Sequence, residues 1–217
     1  MSRSFIAKNP TPLYNRADFP DLLQKNSLPV DEQGLFRPLE MIALPGTKFT
    51  LTQIVSPQVA QVTTGDYPHG PVYLDLSHVE EVSPLTYNRA RILPPPETIL
   101  ERLKQAVGLP YIWGGNWSEE IPGVNLPIGV DCSGLLYQAT SGFTPRNTSQ
   151  LLNFGKKVEQ ESLQPLDLIL WQGHVIIALN ASTTIESLLG KGVIIQPLKT
   201  RLSQISPQIS YVIRRFI

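Results

Sequence analysis

The sequence predicts an α+β fold in two parts: a small β module, then a domain of short helices followed by antiparallel strands. Three observations predict it. Before about residue 90, apolar and polar residues alternate with period 2 between turns that carry Gly and Pro. At "RILPPPETIL", Pro94, Pro95 and Pro96 force extended backbone and then permit a helix to begin. Beyond them, helical spacing comes first and strand spacing second, which is an α+β layout and not an alternating βαβ one. At 217 residues, 41% hydrophobic and 17% charged, the chain is long and apolar enough to bury a real core.

The first 40 residues carry weak signals. "TKFTLTQIV" then alternates, with Phe49, Leu51 and Val55 on one side, and "VYLDLSHV" sets Val72, Leu74 and Leu76 opposite Tyr73, Asp75 and Ser77. Short strands in a part of this size suggest a small barrel. After the prolines, "ETILERLKQAVG" places Ile99, Leu103, Ala106 and Val107 at helical spacing, with Gly108 suited to the C-terminal cap. "DCSGLLYQATSG" and "NTSQLLNFG" read as two further helices stopped at Gly142 and Gly155. Strand runs follow: "LDLILW", "GHVIIAL", "TTIES", "GVIIQPL" and "ISYVIRRF". The expected domains are residues 1–90 and 91–217, with no internal repeats.

Lys+Arg and Asp+Glu both number 18, so no long-range field recruits nucleic acid or an anionic membrane. No stretch approaches the roughly 20 apolar residues of a membrane span. The opening "MSRSFIAKNPTPLYNRADFP" lacks an apolar run of signal-peptide length, so the expected location is the cytoplasm. The one cysteine cannot form an internal disulfide.

That cysteine, Cys132, lies in "GVDCSGLLYQ". Asp131 is a favourable N-cap, which puts Cys132 in the first helical turn, where outward N–H groups stabilise a thiolate and lower its pKa. Against this, Cys132, Leu135, Leu136 and Ala139 share one apolar face, where a structural thiol would sit. From this segment alone the core reading is favoured. Of three histidines, His69 falls in the turn "DYPHGP" and His78 on the polar side of a strand, whereas His174 opens an apolar strand after Gly173. In a hairpin centred on Asn180, Glu186 would stand directly opposite His174, with Cβ atoms roughly 5 Å apart, and could fix the imidazole tautomer. Taken alone, Glu186 is an exposed strand residue.

The order "LPYIWGG", "DCSGL", "PRNTSQ", "LDLILW", "GHVIIAL", "IES" and "GVIIQPL", over about residues 97 to 200, resembles the NlpC-type papain-like peptidoglycan cysteine peptidases. The resemblance implies a cysteine-bearing helix packed on an antiparallel sheet, Cys132 as nucleophile and His174 as general base. The family's third polar residue is usually His and sometimes Asn or Gln; its position falls on Glu186, a departure that favours the imidazolium–thiolate pair. Tyr111 matches a tyrosine that helps hold the oxyanion. The long stretch between Gly115 and Asp131 reads as a loop beside the cleft. The β module resembles a bacterial SH3-like domain of a recycling subgroup. There, a tyrosine at the position of Tyr67 limits the cleft to a free amino terminus, and the acid before the nucleophile, here Asp131 with Ser133 beside it, binds that ammonium.

The implied reaction is hydrolysis of the γ-D-glutamyl–diamino acid amide in murein peptides (L-Ala-γ-D-Glu-diamino acid), with no metal or cofactor. Two other expectations stand beside it: a non-catalytic wall-binding scaffold, and an acyltransferase or thioesterase on the same Cys-His architecture.

Overall fold

The computed structural model describes residues 3–217 and divides into two compact units. One comprises the chain up to Ala90 together with Ile112–Ile128; the other comprises Arg91–Tyr111 and Gly129–Ile217.

The first unit is built on a seven-stranded antiparallel sheet. Its spatial order is Leu39–Ala43, Thr11–Tyr14, Tyr67–Asp75, Val59–Thr64, Lys48–Ile54, Ser4–Ala7, Val79–Val82. Period 2 is visible in Tyr67–Asp75, where Val72 and Leu74 are buried and Tyr73 and Asp75 are half-buried. The strand expected through "LSHV" is broken: Leu76–His78 is a 3₁₀ turn, and Val79 starts a new strand. Asp75 causes the break, because its carboxylate accepts a hydrogen bond from Ser77 N at 2.8 Å and offers the backbone a local alternative to the ladder. Tyr14 stacks on Phe19 at 4.1 Å in a core with Phe36, Leu39 and Ile42.

Segment 112–128 completes that core. Ile121 is buried in it, and Trp117 and Leu126 pack on it. The Asn116 amide donates to Ile42 O and accepts from Ile42 N, both at 2.8 Å, as a strand partner would.

In the second unit the helix Pro96–Gln105 begins at a proline, which has no N–H to lose at that position, and buries Ile99 and Leu103. Val107 falls beyond its end and is 46% exposed. Six antiparallel strands form the sheet, in the order Lys156–Val158, Val212–Arg215, Leu168–Trp171, His174–Ala178, Thr183–Leu188, Gly192–Pro197. Alternation sorts its two faces. Val175, Ile177 and Ile185 join Cys132, Leu135 and Leu136 of the helix Cys132–Ala139. Ile169, Ile176 and Ala178 face the other way, where Leu198 and Leu202 of the helix Leu198–Ser203 cover them. Leu109 pairs with Val193 through the Val193 N to Leu109 O bond of 2.8 Å. Gly192 makes that approach possible: at φ +72 a Cβ there would lie 2.2 Å from Leu109 O.

Candidate active site

Asp131 caps the Cys132–Ala139 helix as the sequence suggests. Its backbone is extended and its Oδ1 accepts from Gly134 N at 2.6 Å. Cys132 follows in the first turn and is 5% exposed. Its thiol reaches Gly173 O at 3.9 Å, and the amides of Val175 and Ser133 face the sulfur. The thiol therefore sits against the backbone on either side of His174. Among the described residues its hydrogen bond goes to Gly173 and not to the imidazole.

The expected low thiol pKa is not what this environment produces. Burial pushes the Cys132 thiol up to about 12, and the neighbouring Asp131 charge adds to the rise. The Val175 and Ser133 amides and the Arg146 guanidinium oppose it without prevailing. A helix terminus lowers a thiol's pKa only where desolvation does not outweigh it.

Asp131 has a partner that sequence reasoning did not assign. Arg146, 1% exposed, forms a fork with Asp131: Nη2 to Oδ2 at 2.6 Å and Nη1 to Oδ1 at 3.0 Å. Burial disfavours the guanidinium's charge, but the Asp131 carboxylate more than offsets this and holds it above its ordinary pKa. Ser133, also buried, joins the pair: its hydroxyl donates to Asp131 Oδ1 at 3.2 Å and accepts from Arg146 Nη1 at 3.0 Å. The carboxylate expected to await an ammonium is already matched by a buried cation. The only sequence trace of Arg146 is its place in "PRNTSQ", which carries no local pattern.

His174 and Glu186 do meet. Nε2 donates to Glu186 Oε2 at 2.6 Å, which leaves Nδ1 as the ring nitrogen not engaged by Glu186. Their register differs from expectation. The hairpin pairs Ile177 with Ile185 and Ala178 with Thr184, so it is centred one residue later than Asn180. The two side chains are thus diagonal neighbours, not directly opposite. Moving the centre by one residue shifts the partner by two, which preserves the face, and long side chains span the diagonal. Nor is Glu186 an exposed strand residue: it is fully buried. Burial pushes its carboxyl up, while hydrogen bonds and charges from His174 and Arg201 outweigh burial and hold it below the usual carboxylate range. The Trp171 ring packs against the imidazole at 4.9 Å.

The two remaining candidates are tyrosines. Tyr111 is half-buried and follows Pro110, whose carbonyl accepts from Val130 N at 3.1 Å. Tyr67 belongs to the first unit, where its hydroxyl donates to Glu40 Oε2 and its ring meets His69 edge-on at 5.4 Å. Among the described residues no group of three or more His, Cys, Asp or Glu could hold a metal ion, and no helix is long and apolar enough to cross a membrane.

A capped cysteine helix laid on an antiparallel sheet is the fold the sequence resemblance implies. The model of the NlpC/P60 family matches residues 108–208. Those residues form an NlpC/P60 family domain. Cys132, His174 and Glu186 all lie inside the NlpC/P60 match, as do Arg146 and Arg201. Among curated proteins no sequence relative was found. Solved structures similar to the chain include the peptidoglycan hydrolase RipB from Mycobacterium tuberculosis, at 26% identity and TM-score 0.46, covering 56% of this chain and 64% of that one. An NlpC/P60 family protein from Bacillus cereus aligns at 20% identity and TM-score 0.45 over 99% of this chain and 63% of that one. RipD from Mycobacterium tuberculosis, described as a non-catalytic NlpC/P60 domain protein adapted to peptidoglycan binding, aligns at 23% identity and TM-score 0.44 over 56% and 97%. The chain thus spans less than two thirds of RipB and of the Bacillus cereus protein.

Proposed function

We propose that the chain is a cysteine peptidase that hydrolyses the γ-D-glutamyl–diamino acid amide of murein peptides. The observation that carries the reading is the Cys132 thiol set against the strand start at Gly173–Val175, with Glu186 fixing the His174 ring by its Nε2. The thiol turns from the Gly173 carbonyl to the imidazole, and Nδ1 takes its proton as sulfur attacks the glutamyl carbonyl carbon. Because the resting thiol is neutral, this proton transfer accompanies attack instead of preceding it. The imidazolium then protonates the departing amine as the C–N bond breaks. His174 next deprotonates a water that attacks the thioester and frees the γ-carboxylate and the thiol. Tyr111 serves as an oxyanion contact in this reading.

For specificity, Asp131 and Ser133 receive the free amine of L-Ala, sharing the carboxylate with Arg146. The residue 1–90 part is assigned as the SH3-like module, with Tyr67 limiting the donor's length, and the setting as cytoplasmic recycling of free peptides. The test is mass spectrometry of products from L-Ala-γ-D-Glu-diaminopimelate peptides, beside N-acetylated versions and the Cys132→Ala variant. Cleavage at the γ-glutamyl bond, lost in the variant and weaker on acetylated peptides, is expected. Unchanged turnover by Cys132→Ala would sink the peptidase reading; equal rates on acetylated peptides would sink the recycling specificity.

A second reading, a wall-binding domain without turnover, draws support from the buried, high-pKa thiol and its bond to Gly173. Peptide binding without any product would favour it.

A further inference from the structure

The carboxylate beneath His174 is held by more than the imidazole. Arg201, buried in the helix Leu198–Ser203, places Nε 2.6 Å from Glu186 Oε1 and Nη2 3.1 Å from Oε2. Gln196 Nε2 adds a donor to Oε1 at 2.8 Å. Each oxygen therefore receives two hydrogen bonds, and the side chain has no freedom to rotate. Arg201 is itself held over the Trp171 ring, 5.6 Å from its centroid, and that ring is the one packed on His174. One guanidinium thus reaches the histidine by two routes, the carboxylate and the indole.

We infer that Arg201 is a positioning residue for His174 that acts through Glu186, cancelling the carboxylate's charge so that the imidazole meets a rigid acceptor of little net charge. This rests on the Cys-His reading of the site. A lone buried carboxylate would hold an imidazolium tightly and make it a poor acid toward the leaving amine, whereas a carboxylate forked by arginine carries little net charge. The other groups facing His174 do not substitute for Arg201. The strand Leu168–Trp171 carries no ionisable side chain, and Thr183–Leu188 only Glu186. The Cys132 helix brings Cys132 and Tyr137, with Asp131 and Arg146 paired to each other. Lys199, on the same helix as Arg201, is exposed.

The single cysteine makes the test clean, since iodoacetamide then reports on Cys132 alone. Alkylation rates from pH 5.5 to 9 and peptide turnover are measured for wild type, Arg201→Met, Arg201→Lys, Glu186→Gln, the Glu186→Gln/Arg201→Met double variant and His174→Ala. Arg201→Met, which keeps the stem's packing, leaves Glu186 uncompensated and favours the imidazolium–thiolate pair. Alkylation near pH 6.5 should rise about tenfold with a flat profile, while turnover should fall about tenfold. Glu186→Gln should slow alkylation, and the double variant should return it to within about threefold of wild type. Arg201→Lys, which keeps the charge without the fork, should stay within about threefold. Alkylation and turnover falling together in Arg201→Met, or alkylation unmoved, would make Arg201 a purely structural residue and overturn the inference. So would a faster alkylation that climbs tenfold per pH unit through neutrality, the mark of an ordinary thiol exposed by unfolding. Wild-type alkylation indifferent to His174→Ala overturns the Cys-His reading and the inference with it; dependence on His174 without the Arg201→Met rise overturns the inference alone.

Discussion

Replacing Asp131 by Asn separates two jobs that one carboxylate performs. Asn is as good an N-cap as Asp, so the bond to Gly134 N survives and the helix itself loses little. What is lost is the countercharge of Arg146, a guanidinium 1% exposed whose fork needs both carboxylate oxygens. Removing one partner of a buried pair typically costs about 3–5 kcal/mol, because the other charge stays buried and uncompensated. For a chain of this size that corresponds to a fall in melting temperature of roughly 6–20 °C. Circular dichroism melts and urea titrations at pH 7 give the number. Adding Arg146→Met to the variant removes the stranded cation and should restore part of the loss. The folded fraction of Asp131→Asn should also alkylate faster at neutral pH, since a charge that raises the Cys132 thiol is gone while Arg146 still lowers it. A melting temperature within about 2 °C of wild type would refute the argument, for it would mean that the guanidinium is not desolvated by this fold.

Two further outcomes follow from the same geometry. Folding raises the Cys132 thiol from 9.0 to about 12, so the stability it confers is complete below pH 9 and is lost as pH rises toward 12. Urea titrations from pH 8 to 11 should show wild type losing stability that Cys132→Ala retains, at about 1.4 kcal/mol per pH unit, and parallel curves would refute a buried thiol. Gly192→Ala should cost at least about 2 kcal/mol, since it combines a left-handed φ with a Cβ 2.2 Å from a carbonyl that cannot retreat without breaking the Leu109–Val193 pairing. A melt within 2 °C of wild type would show that this approach is soft.

What the sequence makes legible is local chemistry. The N-cap at Asp131, the helix start at Pro96 and the alternation through Val72, Tyr73 and Leu74 all follow from residue types at fixed spacing. The hairpin register is less local. Asn180 accepts from Ser182 N at 2.8 Å and Ser182 Oγ at 3.0 Å, and that side-chain turn moves the centre one residue on. Parity alone kept His174 and Glu186 on one face. Destinations across the fold are not written in any window. Arg146 and Arg201 look like ordinary surface cations, and burial of arginine is rare enough that nothing short of the assembled core points to it. The thiol's pKa is missed for the same reason: the helix terminus is visible in "DCSG", but the desolvation that overrides it comes from strands 40 residues away.

The excursion of residues 112–128 bears on how this chain could be divided. It passes between its two units at three places, after Ala90, after Tyr111 and after Ile128. A gene truncated at residue 90 would not yield two self-sufficient halves. The shorter piece would lack Ile121, and the longer would display Ile121, Trp117 and Leu126 with none of Tyr14, Phe19 or Phe36 to cover them. Such a patch invites aggregation. Expression of the second unit alone therefore calls for polar replacements along the excursion, or for its excision with a short bridge from Tyr111 to Gly129. Exchange of the β module for another has to carry the excursion along, because that stretch of chain, though it interrupts the second unit, is part of the first unit's inheritance.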